Sequence, residues 1–418
     1  MYRFKLKESV LVDFPSYLIA LLPLFLITGP FLSDLSVVLV SIIFLIKVFY
    51  NKDYYIFKNI FFKIFLLFYF FLILNSLINY FDFNNLRVSI TYLRFGIFFL
   101  AVGYYCKINK NIFKLIFIFL LICYLLLIVD GFYQYTFKEN LVGFKTFDSG
   151  TRISSFFHEE LIMGSYLSRL LPIFLGISFL LYGNKKGTFF LISGIFILVQ
   201  ILIFLSGERT SFFLSIISII FIVLMLNKFK TFRLAILSIP VVLILIISVQ
   251  DDSAKKRIWD YTIKQTGINS ERFKFFSLHH ESHFKSAYKM YSDNKLIGIG
   301  IRNYRNYCND KKYLINNISC STHPHNTYFQ FLSELGLIGF SFLLFLFFIF
   351  SYFALCHLKE KFFKQKILFN NFQICLLAGI LITIWPLAPS GNFFNNWLSI
   401  IYFYPIGMLL WSFQNNKY

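Results

Sequence analysis

Long apolar runs separated by short polar breaks dominate the chain. The runs fall at about 11–31, 33–50, 57–79, 88–106, 112–130, 161–182, 188–205, 210–227, 232–249, 326–355, 368–388 and 396–413. Several reach the roughly 20 residues that a helix needs to cross a bilayer. The pattern predicts an all-α polytopic membrane protein with about twelve transmembrane helices. Two polar stretches, 131–160 and 250–325, are too long to be simple connectors, and long loops in compact proteins are usually functional. The expected organisation is therefore 1–249, nine helices with a first loop at 131–160; 250–325, a large, partly helical loop; and 326–418, the last three helices.

Cations orient this array. One set of connections carries Arg3, Lys5 and Lys7, then Lys47, Lys52, Lys58 and Lys63, then Lys107, Lys110 and Lys114. The same side holds Lys185 and Lys186, Lys228, Lys230 and Arg233, then Lys359, Lys361, Lys364 and Lys366, and finally Lys417. The connections 31–33 and 389–395 on the other side have no cation. The positive-inside rule then puts both termini in the cytoplasm and both long loops outside. "MYRFKLKESV" is basic and precedes an apolar run, but no small-x-small site follows, so an uncleaved first helix is expected.

Composition agrees: 58% of the 418 residues are hydrophobic and 14% charged, against about a quarter charged in a soluble domain. The formal charge of +20 is what cytoplasmic loops of such a protein carry, and nucleic acid is not an expected partner. The inverted repeats of a transporter are not visible in the sequence. Of six cysteines, Cys106, Cys123, Cys356 and Cys375 fall in or beside apolar helices as small filler. Cys308 and Cys320 fall in the long external loop, where an oxidising compartment favours a disulfide and free thiols are the alternative.

Candidate chemistry gathers on the external side. "SGERTSF" places Glu208 and Arg209 between two spans, either as a hairpin ion pair or as an arginine gripping a lipid-linked phosphate, which its planar fork suits. Arg94 and Arg169 lie deeper and are assigned packing or snorkelling roles. The 250–325 loop carries 13 Lys/Arg against 7 Asp/Glu, a net +6, suited to an anionic headgroup or substrate. In it "HHESHF" brings His279, His280 and His283 close, a surface or substrate-facing helix rather than a metal site, since no further ligand cluster accompanies them. "STHPHNTYFQFLSELGLIGF", residues 321–340, ends the loop: Thr322 or His323 caps a helix, Pro324 enters its first turn, and His325 sits there as a neutral imidazole able to act as a general base. A polar cap is the plainer alternative. Glu334, nine residues on, is expected to tie helices together, with Gly336 and Gly339 allowing close packing.

Four stretches together resemble the O-antigen ligase and polymerase superfamily: "TRISSFFHEELIMGSYLSRLLP", "SGERTSFF", "AYKMYSDNKLIGIGIRNYR" and "HPHNTYFQFLSELGLIGF". The resemblance implies a GT-C-like, metal-independent glycosyltransferase of the bacterial inner membrane, needing no cofactor and working on the periplasmic side. Its donor would be a glycan on undecaprenyl pyrophosphate and its acceptor a lipid A-core sugar, with membrane lipids around it. It implies that Arg209 engages the donor pyrophosphate and that His325 activates the acceptor hydroxyl, with inversion at the anomeric carbon. Arg152 opens the first loop's motif, Arg305 matches a commonly basic position, and His323, His280 and His283 are substrate-side candidates. One departure stands out: where many relatives have an arginine four residues before a tryptophan, this chain has His280 and Phe284. The second phosphate-binding arginine is thus open among Arg257, Arg272, Arg302 and Arg305. A polymerase, a protein-glycosylating ligase and, outside the enzymes, a solute transporter are the competing readings.

Overall fold

The computed structural model describes residues 9–79, 82–150, 152–183, 185–226, 230–250, 255–266 and 276–414. A π-helical turn, Ser9–Asp13, leads into α1 (Phe14–Thr28) and α2 (Pro30–Asn51). Then come α3 (Ile60–Ile78), α4 (Phe83–Thr91), α5 (Leu93–Ile108) and α6 (Ile112–Phe137). Next are α7 (Met163–Tyr182), α8 (Lys186–Leu205), α9 (Arg209–Met225) and α10 (Lys230–Gln250). The large loop holds α11 (Tyr261–Thr266), α12 (Leu278–Asp293) and α13 (Tyr304–Tyr307), and the chain ends with α14 (Thr327–Lys364), α15 (Asn371–Thr383) and α16 (Asn396–Gln414).

Each of the twelve apolar runs coincides with helix, the fourth being divided between α4 and α5 at Tyr92. Among the described residues eight helices are long and apolar enough to cross a membrane, and three shorter apolar helices accompany them. The protein is an all-α, multi-pass membrane protein. Among those eight, α7 is the most enveloped; it packs on α15, α8, α9 and α6, while α5 packs on α16 and α1 on α2 and α6. Arg94 does more than snorkel: it pairs with Asp34 of α2 at 3.0 Å and reaches Asn396 at 2.9 Å, joining α5, α2 and α16. A charge at membrane depth needs such partners.

The first long loop is shorter than expected because α6 continues to Phe137. The end of this helix carries Asp130 and Gln134, both fully buried. Asp130 accepts from Ser155 Oγ at 2.5 Å and Leu141 N at 2.9 Å, and Gln134 accepts from Ser154 N and Ser155 N at 2.9 and 2.7 Å. Two polar side chains of a membrane helix thus serve as the backbone partners that an irregular loop lacks.

The large loop has a small core of its own around Met290, Ile299, Tyr304 and Tyr313. Cys308 and Cys320 are joined, with Cα atoms 5.0 Å apart, within the range a disulfide spans. Non-reducing peptide mapping of membrane-purified protein is expected to recover them as one linked pair; two alkylatable thiols would be the contrary result.

The tenth span departs from expectation most. It is not one continuous helix: at Gly336, with φ +63°, the backbone leaves helical geometry. The break would strand carbonyl and amide groups at membrane depth, which is tolerated only where protein buries and satisfies them. Here the loop does so. Ile299 N and Gly300 N donate to Ser333 O and Glu334 O at 2.9 Å each, while Leu337 N and Ile338 N donate to Lys295 O and Leu296 O at 2.8 and 3.2 Å. Asn75 of α3 holds the other side, donating to Ile297 O at 2.6 Å and accepting from Ile301 N at 3.2 Å. Gly336 therefore admits a loop rather than a neighbouring helix. The "KLIGIGIR" segment is woven into the bundle, which fixes where the following arginines emerge.

Candidate functional site

Helix α14 starts later than its sequence indicates. Asn326 is the N-cap of α14, accepting from Tyr328 N and Phe329 N at 2.9 and 3.1 Å. His325 consequently lies before the cap, not in the first turn, and adopts a left-handed φ of +55°. A segment between α15 and α16 holds it there. Ser390 N donates to His325 O at 2.9 Å, and Asn326 Nδ2 donates to Pro386 O and Ala388 O at 3.0 and 3.1 Å. An asparagine cap needs an extended backbone, so the turn bringing the chain into it falls on His325.

His325 and His323 line a cavity of about 880 Å³ together with Arg169, Glu208, Arg302 and Arg305. The end of α1, Phe156 and Phe157 of the first loop, and Ser390 and Asn392 complete its wall. Arg302 follows the loop's insertion into α14 and has φ +58°. Glu334 anchors this turn: buried, it accepts from Tyr304 N at 3.3 Å and from Gln330 Nε2 at 3.0 Å, and Gln330 in turn accepts from Phe393 N. Glu334 therefore positions the arginine-bearing loop and does not serve His325.

Five of the seven histidines meet beside the cavity. The His325 ring centre is 4.2 Å from that of His323, 5.0 Å from His283 and 6.0 Å from His280. His283 is pinned between Ser319 O at 3.0 Å and His279 Nδ1 at 3.1 Å. Burial, and then the neighbouring imidazoles, push His325 down to about 3. Burial also takes His323 and His280 to about 4, His280 additionally feeling His283, His279 and the charge of Arg209. All three are neutral at physiological pH. Among the described residues no group of three His, Cys, Asp or Glu is arranged to hold a metal ion.

Arg209 opens α9 and is half-buried, on the His280 side of the site. Its neighbour Glu208 accepts from Gly164 N at 2.6 Å, Ser165 N at 3.0 Å and Ser211 Oγ at 2.9 Å. Glu208 thus caps the start of α7, and burial raises it to about 6. Arg152 does not line the cavity but lies near enough for its charge to act on Glu208; it pairs with Asp148 at 3.9 Å and donates to Ser206 O at 3.4 Å. Arg272 and the Arg257 side chain lie outside the described residues, leaving Arg302 and Arg305 as the loop arginines found at the cavity. Sequence reasoning missed two contributors. Arg169 was assigned packing or snorkelling and instead faces the cavity. The 389–395 segment was read only as a cation-free connection, although its Pro-Ser-Gly-Asn composition between two spans marks a shaped turn.

No curated protein matches the chain. Residues 194–344, from within α8 to Leu344 in α14, match the family model described as O-Antigen ligase. The matched stretch contains Glu208, Arg209, the woven loop with Arg302 and Arg305, and the His323–Asn326 turn. It implies a membrane glycosyltransferase of the O-antigen ligase or polymerase type in general. Over these residues the match supports a likeness to the O-antigen ligase superfamily.

Proposed function

We propose that the protein transfers a glycan from undecaprenyl pyrophosphate to a hydroxyl of a lipid A-core sugar, on the periplasmic side of the bacterial inner membrane, with both termini in the cytoplasm. The observation that carries this reading is the convergence of guanidinium groups and neutral imidazoles on one cavity at the end of the helix bundle. A lipid pyrophosphate is already an activated leaving group, so the protein has to stabilise charge as it departs and remove one proton. Arg302 and Arg305, with Arg209 near His280, supply preorganised positive charge for the first task. Neutral His325 supplies the base for the second. The arriving pyrophosphate favours the imidazolium, raising the proton affinity of His325 where the proton must be taken up. The break in α14 is filled by loop backbone, so it offers no midplane solute site of the kind transporters build at broken helices.

Arg209→Lys tests the phosphate role. A lysine keeps the charge but not the paired, planar donors that match a phosphate edge. At matched protein level, glycan transfer by this variant is expected to fall at least about tenfold, the scale of one charge-assisted hydrogen bond. Near-normal transfer would assign Arg209 to a structural ion pair. Surface glycolipids of a deletion strain separate the ligase from the polymerase: unlinked polymer accumulates if the ligase is missing, and single-repeat caps appear if the polymerase is.

A further inference from the structure

Arg169 sits about 9 Å along α7 from its first residue, at 1.5 Å per residue, and is 5% exposed. Its Nη1 donates to Ser165 O at 3.4 Å and to Ser165 Oγ, both one turn back on its own helix. Its Nε–H is buried and has no partner. Among the described residues no carboxylate lies within ion-pair distance of it, and Glu208 on the same cavity has committed its oxygens to Gly164, Ser165 and Ser211. Arg169 therefore links no two helices, in contrast to Arg94. Glu208 acts on the guanidinium only from beyond ion-pair distance, and a buried guanidinium with an unmet donor lowers the stability of the folded protein. What it offers is a guanidinium-bearing side chain lining a cavity of about 880 Å³. Arg302, arriving from the loop, lines the same cavity and has the same unpartnered Nε.

We propose that Arg169 is an anion anchor that completes its hydrogen bonds only when a phosphate-type group enters the cavity, and that Arg169 and Arg302 together take a diphosphate. Two sources share this chemistry, the diphosphate of a lipid-linked donor and a phosphate on an acceptor glycolipid. The donor fits better, because Arg169 belongs to a membrane-spanning helix and the end of α1 forms the adjoining wall, where a lipid carrier would lie. The inference rests on the transferase reading only for the identity of the anion. Arg169 is a substrate-positioning group and leaves the proton transfer to His325.

Purified full-length protein and its Arg169→Met and Arg169→Lys variants test this by thermal unfolding with and without inorganic pyrophosphate, and by steady-state kinetics. Arg169→Met is expected to raise the Tm of the ligand-free protein, since a buried charge with an unmet donor is removed, and to lose most of the stabilisation that pyrophosphate gives the wild type. Its KM for the carrier-linked glycan is expected to rise about tenfold or more with the acceptor KM unchanged, the scale of one lost charge-assisted hydrogen bond. Arg169→Lys should fall between. A lower Tm for both variants with an intact pyrophosphate response would make Arg169 structural, and a rise in acceptor KM alone would assign the phosphate to the acceptor; either overturns the proposal, as does a wild type that pyrophosphate does not stabilise. Pyrophosphate binding through Arg169 without any glycan transfer would remove the transferase reading and leave the anchor. Normal transfer with an unaltered donor KM would do the reverse.

Discussion

His325→Ala is expected to reach the membrane at wild-type abundance and to lose glycan transfer by roughly 10²–10⁴-fold, the usual contribution of a general base. Among the described residues the imidazole has no hydrogen-bond partner, whereas the His325 carbonyl is held by Ser390 N at 2.9 Å, a bond that survives truncation. The φ of +55° is left-handed backbone, which asparagine tolerates better than alanine. His325→Asn therefore serves as the companion variant, and loss of transfer in both, at normal abundance, separates chemistry from backbone strain. His323→Ala should be milder, because His323 leans on Ser390 O at 3.2 Å and shapes the wall. A pH profile adds an independent readout. The neutral imidazole is the active form, so lowering its pKa extends activity toward acid. With His325 held down to about 3 in the free protein, kcat/KM should stay level between pH 7 and about pH 5, where an ordinary histidine near 6.5 would already be mostly protonated. The acid limb of kcat should lie higher than that of kcat/KM, because the bound pyrophosphate favours the imidazolium. Robust transfer by His325→Asn would move the base to His323, His280 or His283.

Gly336→Ala is expected to remove the folded protein itself. An added Cβ would stand 2.5 Å from Gly298 N, Ile297 N and Leu296 C, all backbone atoms that cannot swing aside. The same position needs φ +63°, which alone costs an L-residue about 1–2 kcal/mol. The total should approach about 4–5 kcal/mol, the upper end for a single substitution. Membrane abundance and thermal stability should both collapse, and Gly298→Ala, whose Cβ would meet Glu334 C at 2.5 Å, should do the same. By contrast, Gly339→Ala would meet only the Leu335 side chain, its nearest atom at 2.3 Å, and should keep more of the protein. Equal abundance for Gly336→Ala and wild type would show that the loop is not woven into α14.

Much of this protein is legible in its sequence because the bilayer imposes long apolar helices, a constraint that hydropathy reads directly. The twelve helical segments, the two long connections and the polar cluster near 321–327 follow from it, and the motifs around Arg209, "GIGIR" and "HPHN" already pointed to one superfamily. Short-range rules failed where distant backbone took over. Asn326, not Thr322 or His323, became the cap because the 386–390 segment grips it from 60 residues away. Gly336 read as helix-packing glycine, and only the incoming backbone of 295–300 turned it into a break. Arg169 read as snorkelling because sequence cannot tell whether a cation in an apolar helix faces lipid, a carboxylate or a cavity. That choice depends on what the other helices place around it, and burial without an ion-pair partner exists only in the assembled bundle. Composition and periodicity therefore determined which segments form the apolar helices; tertiary packing decided which polar groups within them are satisfied by the fold and which are not.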